Sequence, residues 1–170
     1  DFFRITKLKT VSSLGSKTFR NGGYHVITKD KTLVVMRYPV FKYRPSQADA
    51  LHVDLWYSGR NLLRDAGTFS YNAQDTDWFS GTSAHNTIEF DKSDQMPRLG
   101  RFLFSNWLSA EDVETVHATQ EGISAQAGYS KSYGVKHLRR ITLGNKELMV
   151  TDRIEGRFKI ACLRWRLSPG

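Results

Sequence analysis

The segment of residues 47–96 places carboxylate, imidazole and phenol side chains at the ends of short apolar runs. Asp65 closes one run, His85 opens another, and Tyr71 lies in the polar segment between them. Carboxylates and imidazoles bind divalent metal ions, and all three groups can transfer protons. Because side chains beyond strand ends project into clefts, this spacing indicates a site at the edge of a β-scaffold.

The run before the first of these carboxylates has the alternation of a half-buried strand. In residues 51–57, one face carries Leu51, Val53, Leu55 and Tyr57, and the other carries His52, Asp54 and Trp56. This period of two predicts a strand that packs one face against a core. In a regular strand His52 would point away from the face shared by Gln47 and Asp49. We therefore do not expect His52 to complete a site with Gln47.

Similar β-branched and aromatic runs follow one another along the chain, separated by turn residues. The predicted strands are residues 24–28, 33–38, 51–57, 61–64, 86–90, 101–107, 113–119, 123–127, 135–143, 147–154 and 159–167. No segment of ten residues has a sustained helical period. The pattern predicts an all-β antiparallel sandwich with less than about a tenth of its residues in helix.

Length and composition agree with one domain and a polyanionic partner. The chain has 170 residues and a net charge of +8, which favours an acidic glycan, a nucleic acid or an anionic surface. It contains no block rich in Lys and Arg of the kind that marks a nucleic-acid tail, and no apolar run long enough to span a membrane. The single cysteine, Cys162, is expected to be a small buried apolar residue.

The two ends of the sequence indicate a piece of a longer protein. It starts at Asp1 without an initiator Met or a signal sequence, and it stops just after a strand pattern. Residues 1–18, rich in Lys, Ser and Thr, are predicted to be a connector from a preceding segment. Residues 19–170 are predicted to form the sandwich.

Several motifs, in order, resemble the C-terminal β-rich domain of the heparinase II/III-like polysaccharide lyases. They are FRNGGYHVI (residues 19–27), ADAL (48–51), DAGTFSY (65–71), TSAHNT (82–87), DQMPRLGRF (94–102), GYSKSYGVKHLRRI (128–141), LMVTDRIEG (148–156) and LRWRLSP (163–169). The resemblance implies a bacterial enzyme that cleaves acidic polysaccharide by β-elimination. It also implies an α/α-toroid domain upstream in the same chain, which carries the rest of the catalytic set.

The resemblance further implies a zinc site at the positions of Gln47, Asp65 and His85. The family has a histidine where this chain has Gln47, and often another where it has Pro45. A neutral amide oxygen is a poor zinc ligand, so we expect the chain to bind zinc weakly or not at all. In the alternative interpretation, Asp65 and His85 bind each other or the backbone and pin two strands together.

For catalysis, the resemblance assigns proton transfer to Tyr71, and His85 is predicted to be a second catalytic residue that lines the same cleft. β-Elimination needs a base for the C5 proton of a uronate, an acid for the leaving oxygen, and a neutraliser for the carboxylate. A cation such as Arg64 would lower the pKa of the Tyr71 hydroxyl. Alternatively, the ring of Tyr71 packs beside the turn with its hydroxyl in water.

Candidate substrate-binding residues are those with an aromatic face or a cation near the predicted site. They are Arg64, Trp78, Asn86, Arg98 and Arg101. Trp78 is expected to be exposed, whereas Trp107 and Trp165 are expected in the core. Arg98 and Arg101 could clamp a carboxylate, or they could be a solvated surface pair. His52, His117 and His137 are expected to be structural.

Three hypotheses for function follow. The first is the β-sandwich of a periplasmic or cell-envelope lyase, supplying one wall of the cleft for an acidic, uronate-containing polysaccharide and inactive without the toroid. The second, which the residues at positions 45 and 47 favour, is a non-catalytic carbohydrate-binding or scaffold module. The third, a nucleic-acid-binding domain, depends on charge and aromatic content alone.

Overall fold

The computed structural model describes residues 15–68, 70, 76–101, 103–132 and 134–169. The strands are β1 (Lys17–Phe19), β2 (Tyr24–Lys29), β3 (Thr32–Arg37), β4 (Val53–Tyr57), β5 (Arg60–Leu63), β6 (Ile88–Phe90), β7 (Arg98–Gly100), β8 (Leu103–Phe104), β9 (Ala110–Ala118), β10 (Ile123–Ser130), β11 (Lys136–Leu143), β12 (Leu148–Glu155) and β13 (Ala161–Leu163). Two short helices, α1 (Thr76–Phe79) and a 3-10 turn (Thr82–Ala84), precede β6. None of the helices in the described residues has the length and hydrophobicity needed to cross a membrane.

Two antiparallel sheets form the sandwich. The first has the order β1-β2-β3-β4-β5 and the second the order β12-β11-β10-β9, while β13-β6 and β7-β8 form two-stranded ribbons. About 48% of the described structure is strand and 4% is helix, which confirms the predicted all-β class. The core joins apolar faces of both sheets, with Ile27 and Met36 from the first and Ala127 and Ile141 from the second.

Most predicted strand bounds differ from the structure, most of them by one to three residues, and the run predicted as a strand over residues 159–167 contains only β13. The run 101–107 is not one strand: β7 and β8 are short, and Asn106, at φ 48°, leaves the extended region. The strand predicted from residue 86 begins at Ile88, and the one predicted from residue 51 begins at Val53. At the amino end, β1 already begins at Lys17, within the predicted connector.

The strand register separates two ends of the first sheet. Met36 pairs with Val53, and Leu55 pairs with Leu63. The end of β3, the start of β4 and the end of β5 therefore lie at the same end of the sheet. The hairpin turns at residues 30–31 and 58–59 lie at the opposite end. The segments that follow β3 and β5 therefore lie at the end of the sheet opposite these hairpin turns, and a site can be built there.

His25 joins the two sheets through a buried imidazole. Its side chain is fully buried, with Nε2 at 3.1 Å from the Gln126 carbonyl on β10 and Nδ1 at 2.9 Å from Thr18 Oγ1. Burial lowers the pKa of His25 to about 4, and the hydrogen bond to Gln126 opposes this only in part. The imidazole is therefore neutral in the folded chain at neutral pH.

We expect acid to destabilise the fold through His25. Because the folded pKa lies below the unfolded value of 6.5, the unfolded chain takes up the proton first as pH falls. Stability is then complete above about pH 6.5 and decreases down to about pH 4, by up to roughly 3 kcal/mol. Urea unfolding of the chain at both pH values measures this. His25→Gln should weaken the pH dependence and the exposed His117→Gln should not; equal slopes in both variants would contradict the assignment.

Candidate functional site

His52, Asp65 and His85 converge at the edge where β4 begins and β5 ends. One ligand atom from each lies within 4.8 Å of the other two. His85 Nδ1 is 2.8 Å from Asp65 Oδ2, and the rings of His52 and His85 meet edge to face with centroids 5.4 Å apart. The predicted contact between Asp65 and His85 is therefore present, and a second imidazole joins it.

Backbone contacts near Asp65 fix the orientation of its carboxylate. Asp65 lies two residues after β5, and its Oδ1 accepts the N–H of Gly67 at 2.5 Å. Burial raises the pKa of Asp65, but contacts with His85 and the Gly67 N–H outweigh burial, so the net pKa is below its ordinary value. The group is therefore a carboxylate at neutral pH. Gly67 has φ 75°, a conformation that glycine adopts readily.

The presence of His52 in the cluster corrects the sequence analysis, which expected Gln47 as the third donor. Alternation applies only within a regular strand, and Leu51 has φ 62° in a turn before β4. That turn lies between Gln47 and His52, so the parity of the numbering does not predict where His52 points. Gln47 lies half-buried in the segment between β3 and β4. The sequence signal that could have identified His52 is its position directly before the first residue of a strand.

The donor types of the cluster fit zinc. Two imidazoles and one carboxylate match a three-ligand zinc site with an open fourth position. Among the described residues, His85 Nε2 is buried without a hydrogen-bond partner, as expected for an atom that could face a metal ion.

Two features of the cluster weaken its fit to zinc. Its Nδ1 accepts the N–H of Asn86 at 2.9 Å, which places the proton of a neutral ring on Nε2, near Asp54 Oδ2 at 3.4 Å. In addition, the three donor atoms lie within 4.8 Å of one another, a looser limit than the roughly 3.3 Å between the ligand atoms of tetrahedral zinc. Zinc would have to displace that proton, so its affinity should be modest and rise with pH.

Arg139 holds together the two segments that carry the histidines. It is the largest fully buried side chain, and its Nη1 donates to the carbonyls of Leu51 at 2.7 Å and Asn86 at 2.6 Å. Leu51 directly precedes His52, and Asn86 directly follows His85. The spacing of the two imidazoles is therefore set by one guanidinium from β11.

Asp152 on β12 neutralises that guanidinium. Arg139 donates through Nε to Asp152 Oδ1 at 2.7 Å and through Nη2 to Oδ2 at 2.9 Å, and His137 Nε2 lies 2.7 Å from Oδ1. Burial raises the pKa of Asp152, but the bonds from His137 and Arg139 outweigh it and bring the pKa to about 2. The predicted structural role of His137 agrees with this network.

Two tryptophans and the cysteine lie nearer the surface than predicted. Trp165, 38% exposed, covers the Arg139 guanidinium with its ring at 5.2 Å, because a buried cation at the sandwich edge needs a cover. Trp107, 45% exposed, donates its indole N–H to the Phe104 carbonyl at a loop. Cys162 is half-buried because the ribbon that contains it lies outside the main sheets.

Asn86 is a scaffold residue, which corrects its assignment to substrate binding. It is fully buried, and its Nδ2 donates to the carbonyls of Val53 at 2.9 Å and Arg64 at 3.2 Å. Its Oδ1 accepts the backbone N–H of Arg166 at 2.5 Å. One amide thus joins three segments around the cluster.

Arg98 is neutralised within its own loop. Its Nη2 donates to Asp94 Oδ2 at 3.2 Å and to the Asp77 carbonyl at 2.9 Å, and its Nη1 donates to Ser80 Oγ at 3.0 Å. The clamp predicted for Arg98 and Arg101 is therefore not formed by Arg98, whose donors are engaged internally. Arg101 is exposed.

Of the remaining predicted site residues, two are exposed, one is buried, and one lies outside the described residues. Trp78 is 43% exposed, as predicted, and Arg64 is exposed next to Asp65. Tyr71 lies outside the described residues, so its predicted place in the cleft stays a prediction. His85 is fully buried, which makes it a residue that organises the cluster and keeps it from direct contact with a sugar.

Comparisons with known proteins agree with the fold. Residues 12–170 match the family model described as heparinase II/III-like, C-terminal. A heparinase III structure with methylated lysines superposes with a TM-score of 0.76 at 18% identity, over 94% of this chain and 25% of that one. A mutant heparan sulfate lyase HepC from Pedobacter heparinus gives 0.70 at 21%, over 92% and 25%. The chain thus spans about a quarter of these structures; no curated protein matches it.

Proposed function

The chain belongs to the heparinase II/III-like family as its C-terminal domain, and we propose that it supplies one wall of the cleft in a lyase of uronate-containing polysaccharide. The observation that carries the proposal is the His52, Asp65 and His85 cluster at the loop end of the sandwich. Loops at one end of a rigid scaffold are where sites are built. The net charge of +8 suits an acidic polymer.

In this proposal Tyr71 and the residues of the cluster have different tasks. Tyr71, six residues beyond Asp65, is the proton-transfer group that the domain contributes. Asp65 and His85 hold the start of the segment that follows β5 against the segment before β6. The other catalytic groups come from the upstream α/α-toroid of the parent protein, so this domain alone should not turn over substrate, because positioning across the cleft would be lost.

A zinc ion, if the parent protein uses one, would be held by His52, Asp65 and His85. When bound, it would supply positive charge that stabilises negative charge developing on a substrate oxygen. Both histidines that would hold the ion are buried. We propose weak zinc binding, consistent with the tautomer of His52.

A non-catalytic carbohydrate-binding or scaffold module is the alternative. Pro45 and Gln47 support it, because the family often has histidines at these positions. In either case we propose a periplasmic or cell-envelope location, where polymeric acidic glycans are met.

The parent protein, incubated with uronate polysaccharides, should release unsaturated ends that absorb in the ultraviolet. Asp65→Asn keeps the shape of the side chain but removes its charge, so we expect turnover to fall by roughly 10- to 100-fold. Asp30→Asn, in the exposed hairpin turn at the opposite end, serves as the matched control. A parent without ultraviolet-absorbing product on any uronate polymer would favour the scaffold alternative, and an unaffected Asp65→Asn would remove the cluster from the mechanism.

A further inference from the structure

Two arginines face each other next to the cluster. Leu63 and Leu167 form an antiparallel bridge, and the Arg64 N–H donates to the Arg166 carbonyl at 3.0 Å. In this register Arg64 lies opposite Arg166, and directly opposite residues place their side chains on the same face. The like charge that acts on Arg166 is that of Arg164, two residues earlier. An anion beside Arg166 would relieve that repulsion.

Neither of these arginines forms a salt bridge within the part of the chain that the structure describes, although the charge of Asp65 raises the pKa of Arg166. Neither Arg64 nor Arg166 has a carboxylate within the 4.0 Å of a salt bridge there, whereas nearby Arg164 has Glu89 at 2.9 Å. Arg166 Nη2 donates to a neutral acceptor, the Ser83 carbonyl, at 2.9 Å. Burial lowers the pKa of Arg166, and the charge of Arg164 adds to this effect. The protein thus maintains a cation at an energetic cost.

The two arginines are also fixed in place. The Asn86 amide accepts the N–H of Arg166 at 2.5 Å and donates to the carbonyl of Arg64 at 3.2 Å, so one buried side chain holds both backbones. The Arg166 guanidinium lies 4.6 Å from the ring centroid of Trp78, which is 43% exposed. A positioned cation beside an exposed aromatic ring matches a sugar that carries an anionic group.

We propose that Arg64, Arg166 and Trp78 form a subsite for the carboxylate of an acidic sugar. This inference rests on the proposed function for the identity of the polymer, but the binding chemistry is independent of turnover. The guanidinium groups receive the carboxylate, and Trp78 borders the sugar ring. The subsite lies next to Asp65, because the charge of Asp65 raises the pKa of Arg166. A uronate bound there would therefore lie beside the cluster.

Binding is tested on the chain itself by NMR, following the Arg166 Nε–H and Trp78 indole signals. The probe is an unsulfated, glucuronate-containing tetrasaccharide at millimolar concentrations. We expect both signals to shift, and the dissociation constant to rise at least about tenfold in Arg166→Gln and in Arg64→Gln. Arg166→Lys, which keeps the charge but loses the planar fork, should give an intermediate value. Arg60→Gln, at the other end of β5, is the matched control and should bind normally.

The chemical identity of the ligand is tested with two modified probes. The tetrasaccharide with reduced carboxyl groups should not bind, and a carboxyl-reduced tetrasaccharide bearing sulfate esters should bind more weakly than the carboxylated one. Equal binding of either modified probe, unchanged signals with the carboxylated probe, or unaffected binding in both glutamine variants would overturn the proposal. Lyase activity is read separately in the parent protein, so a parent without turnover whose domain still binds through Arg166 would contradict only the proposed function.

Discussion

Arg139→Met should lower the free energy of unfolding of the chain by about 3–5 kcal/mol. Methionine fills a similar apolar volume, but it leaves Asp152 without its bidentate partner in a site where the carboxylate side chain is 14% exposed. It also leaves the carbonyls of Leu51 and Asn86 without their buried donor. Urea unfolding monitored by tryptophan fluorescence measures the change.

The control for this loss is Arg153→Met on the neighbouring strand. The Arg153 side chain is 75% exposed and pairs with Glu155, so its replacement should change stability by at most about 0.5 kcal/mol. The double variant Arg139→Met, Asp152→Leu should recover part of the loss, since it no longer buries an unpaired carboxylate. Equal stability of the Arg139 and Arg153 variants would show that the buried pair does not hold the segments together.

Tyr71→Phe should reduce turnover of the full-length parent by at least ~100-fold, with little change in unfolding free energy. The substitution removes only the hydroxyl that the proposed mechanism uses for proton transfer. Initial rates of ultraviolet-absorbing product, together with thermal unfolding of the same preparations, separate the two effects.

Tyr57→Phe is the matched control for this substitution. Tyr57 is 54% exposed at the hairpin end of β4, away from the cluster, and its hydroxyl has no part in the mechanism. A structural role of Tyr71 predicts the reverse pattern, with a lower melting temperature and nearly normal turnover per folded molecule. That result would favour the scaffold alternative.

Local pattern was sufficient for the fold class, and the family resemblance added two members of the cluster. Alternation predicts strands because successive side chains of an extended chain point to opposite faces; β12 follows it over eight residues, and β11 follows it up to Ile141. The resemblance paired Asp65 with His85, and the structure places Asp65 Oδ2 2.8 Å from His85 Nδ1. Trp78, which lies in α1, is exposed as predicted.

Tertiary structure decided the rest of the site. A positive φ at Leu51 interrupts the extended chain just before His52, and no periodic pattern reveals such a turn. Arg139 reaches the Leu51 carbonyl across 88 residues of sequence, and Arg166 reaches Asn86 across 80. Such partners are brought together by the register and packing of whole sheets, whereas alternation reports only which face a residue occupies in its own strand.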